Sequence, residues 1–121
     1  MEIKPTPEEL DMGKDTSRYR IINDKNEIVE ANIYEWAKFF EQEEKRQVSV
    51  TTISNAIFVS TVFTGLVGFD SPQLFETMVF EFGKDKEGAY KWDTYMEAFN
   101  GHQEIVDRLE AEEKEELPVI N

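Results

Sequence analysis

The sequence predicts an α+β fold, an antiparallel sheet of about four to six strands with two helices packed on it, in the order β-β-α-β-β-β-β-α. Three observations carry that prediction. Residues 56–66 and 73–82 alternate side chains with a period of two, as half-buried strands do. Two other stretches place apolar residues at i, i+3, i+4 and i+7 behind a helix-capping signature. Short turn-rich links join successive strands, which must then pair antiparallel.

The elements follow in order. Residues 1–17 hold Pro5, Pro7, Gly13 and scattered charges without a period, and are expected to form a flexible arm. Tyr19-Arg20-Ile21-Ile22 reads as a short strand, Asn23 to Asn26 as a turn, and Glu27 to Glu30 as the return strand. Asn32 with Glu35 forms a capping box. Ile33, Trp36, Ala37 and Phe40 then make one apolar stripe, on a helix predicted to reach about Glu44. Val48 to Ser54 is rich in β-branched residues and reads as the third strand, and Ala56 to Leu66 continues as the fourth. Gln73 to Phe82 is the fifth, with Leu74, Glu76, Met78, Phe80 and Phe82 on one side and Phe75, Thr77, Val79 and Glu81 on the other. Gly83 to Gly88 reads as a polar hairpin loop and Ala89 to Asp93 as its return strand. Thr94 with Glu97 is a second capping box. It opens a helix whose stripe is Ala98, Phe99, His102, Ile105, Val106 and Leu109. Phe99 and Ile105 are expected in the core. Past Leu109 the acids Glu110, Glu112, Glu113, Glu115 and Glu116 oppose the helix macrodipole and should fray, and Pro118 stops any helix. The predicted organisation is thus an arm (1–17), one domain (18–109) and an acidic extension (110–121).

Composition narrows the function classes. A chain of 121 residues with nine Phe, four Tyr and two Trp can bury one core without staples. It has no cysteine, so no thiolate nucleophile and no Cys-type zinc site. With 13 basic against 26 acidic residues, its formal net charge of −13 repels phosphate backbones and anionic membranes. No apolar run approaches the roughly 18–20 residues that span a bilayer. The acidic, proline-bearing start MEIKPTPEEL is unlike a signal peptide, and the expected location is the cytoplasm.

Catalytic and metal constellations are weak. His102 is the only histidine and stands on an apolar helix stripe beside Gly101, where a packing role is expected and a lone general base is the alternative. Glu76 interrupts a hydrophobic strand, at a sheet margin or beside a cation. Asp24-Lys25-Asn26 lacks the remaining positions of a calcium loop, and Gly65-Leu66-Val67-Gly68 lacks the Lys-Ser/Thr of a phosphate loop. No catalytic residue, metal site or cofactor is expected. Phe69, Phe80, Phe82, Tyr90 and Trp92 offer aromatic surface near loops, with Lys84, Lys86 and Lys91 as the local basic residues.

The segments Val59-Ser60-Thr61-Val62-Phe63-Thr64-Gly65-Leu66, Leu74-Phe75-Glu76-Thr77-Met78-Val79-Phe80, and Glu97-Ala98 with Gly101-His102 resemble a family of small uncharacterised phage proteins. Its members combine "VSTV.LG", "FETMVF" and "EA..GH" segments with a tryptophan-alanine helix start, here Trp36-Ala37. The resemblance spans roughly Tyr19 to Leu109. This chain departs from it in the acidic arm, the longer acidic end and the lack of a Gly-Pro-rich insertion before Leu74. The resemblance implies a phage origin, hence the host cytosol, and no set activity.

Together these features lead to an expected non-catalytic phage-type accessory protein that binds a host macromolecule and inhibits a defence system, as anti-CRISPR proteins do. The partner would be a host protein with a basic surface, met by Glu110, Glu112, Glu113, Glu115 and Glu116; homo-oligomerisation stays open. The alternative is a sponge for a nucleotide-derived immune signal, gripped by Phe82 and Trp92 with Lys84 and Lys91 at its phosphates. A small hydrolase using His102 or Glu76 is the third class.

Overall fold

The structure is a computed structural model that describes residues 3, 4 and 6–116, without the side chains of Glu9 and Glu116. Pro118 and the rest of 117–121 lie outside the described residues.

Asn32 starts the first long helix as its sequence context predicts. Its side chain accepts the Glu35 N–H at 2.9 Å and Glu35 accepts the Asn32 N–H at 3.0 Å, closing the box. Helix α2 (Ile33–Phe40; the numbering counts a short α1, Pro7–Met12, in the arm) ends four residues before the predicted Glu44. The reason is Arg46, whose Nε–H takes the Phe40 carbonyl at 2.7 Å while its guanidinium lies 3.8 Å over the Phe40 ring. That satisfies a carbonyl the helix end leaves open, and the chain restarts as the one-turn α3 (Glu43–Arg46). α1 leaves no period in the sequence of the arm because it has no apolar stripe; Leu10 and Met12 are half exposed.

The strands form two sheets. Strands β1 (Tyr19–Ile22) and β2 (Ile28–Ala31) make an antiparallel hairpin, and β3 (Gln47–Thr52), β4 (Ile57–Phe63), β5 (Phe75–Glu81) and β6 (Lys84–Trp92) make a four-stranded antiparallel sheet in sequence order. The hairpin is tied to the end of β4 by Arg20 N–H to Gly65 O at 2.8 Å and by the Tyr19–Leu66 bridge.

The β5–β6 connection corrects the expected six-residue loop. Phe82 and Gly83, at φ 52° and 76°, form a two-residue turn, and pairing resumes at once with Lys84 against Glu81. The extra polar residues are absorbed farther along β6 by a bulge, where Asp85 Oδ1 accepts the N–H groups of Glu87 and Gly88 and Gly88 sits at φ 80°.

One face of the four-stranded sheet is covered. Ile57, Val59 and Val79 pack against Ile105, Val106 and Leu109 of α4 (Tyr95–Glu116), and Phe63, Leu74 and Phe75 against Phe39 and Ala98. Thr94 caps α4 through the Glu97 N–H at 3.1 Å. Phe99 leaves the predicted stripe. It is 48% exposed and stacks on Tyr95, while its neighbour Ala98 takes the buried position one turn before His102. Beyond Leu109 the helix continues to Glu116, where fraying was expected, with Arg108 paired to Glu112 at 3.0 Å along it. Among the described residues, no helix is long and apolar enough to cross a membrane.

Candidate functional site

A polar network centred on His102 lies between α4 and the covered sheet face. His102 is 3% exposed; its Nδ1 meets Thr61 Oγ1 at 2.7 Å and its Nε2 meets Thr51 Oγ1 at 2.8 Å. Thr61 Oγ1 in turn bonds Thr77 Oγ1 on the neighbouring strand, its register partner. Trp92 Nε1–H donates to Thr77 Oγ1 at 2.9 Å. The indole can only donate, so Thr77 Oγ1 accepts at this end of the chain. With the Nε2–H tautomer, Trp92 donates to Thr77, Thr77 to Thr61, Thr61 to Nδ1, and Nε2–H to Thr51. Each proton from the indole to Nε2–H then has an acceptor, and among the described residues no buried side-chain polar atom lacks a partner. A protonated ring would have to donate at both nitrogens, leaving one threonine hydroxyl proton without a place in the chain.

Gly101 makes the network possible. A Cβ at this position would collide with the six-membered ring of Trp92, so only glycine lets the helix settle onto the indole. Burial lowers the His102 pKa and so favours the neutral ring. Its two nitrogens are committed to threonine hydroxyls, so it presents no lone pair to a substrate. The network is built to hold α4 on the sheet.

No known protein family, curated protein or solved structure matches the chain.

Thr61, Thr77 and His102 meet in this network, and Gly101 faces the Trp92 ring beside it. The other candidates are dispersed. Glu110, Glu112 and Glu115 are exposed on α4, Glu113 is half-buried one turn past Leu109, and Glu112 is engaged by Arg108; the Glu116 side chain lies outside the described residues. Phe82, Lys84, Lys91 and Trp92 do not meet. Phe82 is 80% exposed at the hairpin tip, Lys91 lies on the open sheet face opposite Glu76, and Trp92 points inward to Gly101. Phe69 is fully exposed and Tyr90 packs inside, so the aromatic supply forms no single cage. Glu76 stays half-buried, as a sheet-face partner of Lys91.

Sequence reasoning missed the open side of the sheet. Val50, Phe58, Ser60, Val62, Met78 and Phe80 share the face opposite α4 by register. Phe58 and Phe80 stack at 4.9 Å and 22°, and Val50 is 47% exposed. The signal was present: both faces of residues 57–63 and 75–80 are largely apolar, which a strand covered on one side does not need.

Proposed function

We propose that the chain is a non-catalytic binding protein whose docking surface is the open face of the four-stranded sheet. The observation that carries this is the apolar centre built by Val50, Phe58, Val62, Met78 and Phe80 on the side away from α4. Interfaces concentrate apolar and aromatic side chains at the centre and leave charge to the rim. Glu76 and Lys91 supply such a rim. The partner that suits a −13 chain is a protein with a basic surface, steered by the long-range field; Glu110, Glu112, Glu113 and Glu115 add to that field from the other side of the sheet. In the phage setting that the resemblance implies, such binding would inhibit a host defence protein. The bond pattern around His102 supports the non-catalytic reading over a hydrolase, because both ring nitrogens are occupied inside the fold.

The test uses Val50→Lys and Met78→Lys, whose stems keep covering the sheet while their charges oppose a basic partner. Bait protein is incubated with host lysate at low and moderate salt. A captured protein that the Lys variants release, and that neutralising the four α4 glutamates weakens mainly at low salt, supports the reading. Capture that ignores the Lys substitutions, or no capture at either salt, would overturn it. Sedimentation of the free protein separates out a second copy of the chain as the occupant.

A further inference from the structure

A cleft of about 320 Å³ opens between the β1–β2 hairpin, α3 and the start of α4. Its floor is aromatic: Phe63 and Phe75 meet edge-on at 5.3 Å, and Phe75 meets Tyr95 at 6.2 Å. Ile22 and Val48 line it farther out, while Ile28 and Tyr95 stand at its mouth, 44% and 50% exposed. Large apolar side chains left half open around a cavity are what a ligand would cover.

The charge at this cleft runs against the chain. The sequence has twice as many acids as bases, yet the charged residues lining the cleft are Lys45 and Arg46, with no carboxylate. Lys45 makes a 3.6 Å contact with Asp24, whose side chain is fully exposed, a pair of the kind that contributes little. The adjoining hollow of about 290 Å³ shares Ile22, Asn26 and Lys45 and contains that Asp24. Arg46 is half-buried and makes no ion pair among the described residues. Its Nε is held by the Phe40 carbonyl and its plane by the Phe40 ring, so its orientation is fixed before any ligand arrives. A preoriented guanidinium on a residue that lines an apolar cavity suits an oxyanion carried on a ring.

We propose that this cleft binds a small aromatic anion, its ring against Ile22, Val48 and Tyr95 and its carboxylate or phosphate on Arg46, with Lys45 adding charge. The volume stands at the lower end of ligand pockets, roughly 300–1,000 Å³, so one ring system with its anionic group fits and a dinucleotide does not. This site is separate from the open sheet face, and neither proposal needs the other.

The experiment titrates the full chain, uniformly labelled with ¹⁵N, with 2-naphthoate, 2-naphthyl phosphate and the neutral 2-naphthalenemethanol, following amide shifts. Saturable shifts of Ile22, Ile28, Val48 and Tyr95 are expected with both anions, and binding about tenfold weaker with the alcohol, the usual scale for one charged hydrogen-bonded contact. Arg46→Gln should bring the anions to the level of the alcohol, and Val48→Trp should abolish binding of all three by filling the cavity. The two anions distinguish a carboxylate source from a phosphate source by which binds more tightly. If Arg46→Gln loses the dispersed spectrum, Lys45→Gln and the neutral probe still compare charge against no charge. Equal affinity for anions and alcohol, or shifts that map to Phe58 and Phe80 instead, would overturn the proposal.

Discussion

Gly101 and Trp92 are in such close approach that a methyl group on the glycine would occupy the space of the indole ring. The indole cannot simply withdraw, since its N–H is bonded to Thr77 at 2.9 Å beneath the helix. Two effects therefore compete in Gly101→Ala. Alanine favours an interior helical position by about 1 kcal/mol, while overpacking a tight contact costs about 1–3 kcal/mol. The clash wins because both sides of it are fixed, and a net loss of stability is expected. Urea unfolding would show a lower midpoint with an unchanged slope; a midpoint at or above wild type would mean that α4 slides without cost.

The fold was largely legible for reasons this pair illustrates. Period-two alternation located β4 and β5, and the Asn32–Glu35 box located α2, because local patterns set those elements. His102 beside Gly101 was expected to pack against the sheet, and it does. What the sequence could not show depends on tertiary partners. Arg46 ends α2 early by reaching back to Phe40, and the Phe82-Gly83 turn with a bulge replaces a loop. The proposed ligand cleft was not legible either, because Ile22, Val48 and Tyr95 are far apart in the chain and converge only when the hairpin docks.

The His102 network should make stability depend on pH in a defined window. Burial depresses the folded pKa of the ring below its ordinary 6.5. The unfolded state therefore takes up the proton first as pH falls, and stability is lost from about pH 6.5 downward until the folded pKa is passed. The slope cannot exceed about 1.4 kcal/mol per pH unit for one proton. Glu87 acts in the same direction at lower pH. Burial raises its pKa, but hydrogen bonds from Arg108 and Tyr90 outweigh that and hold it below 4.5, so its contribution is present above 4.5 and lost as pH falls through the folded value. His102→Gln should flatten the upper window and leave the lower one. Denaturant midpoints measured from pH 7.5 to 3.5 on both proteins would check this, and a wild-type curve flat between pH 7 and 5 would contradict it.

Thr77 joins two partners, so its loss should cost more than a methyl-for-hydroxyl exchange suggests. In Thr77→Val the Trp92 N–H and one bond of Thr61 lose their acceptor or donor inside the core. Leaving a buried polar group unpaired costs about 1–3 kcal/mol. Thr61 and Thr77 share the same bond, so the double variant should lose less than the sum of the two singles. Equilibrium unfolding of the three proteins measures the coupling; strict additivity would show that the contact between the two hydroxyls contributes nothing.

The last helix divides differently from what its stripe suggests, and truncation reads the division. Ile105 is 7% exposed and Leu109 2%, so Ile105→Ala should cost about 2–5 kcal/mol, as large-to-small core changes do. Phe99, at 48% exposure and stacked on Tyr95 outside the core, should cost about 1 kcal/mol or less. Past Leu109 the helix carries exposed acids, the half-buried Glu113 and the Arg108–Glu112 pair, while Arg108 keeps its bond to Glu87 without them. Surface pairs of this kind contribute about 0–1 kcal/mol, and acids near a helix C-terminus oppose its dipole. A chain ending at Leu109 should therefore keep its melting temperature within a few degrees, with its negative field reduced. A large drop in melting temperature on truncation would instead mean that Glu113 and its neighbours extend the buried seam, and that the cooperative core reaches past Leu109.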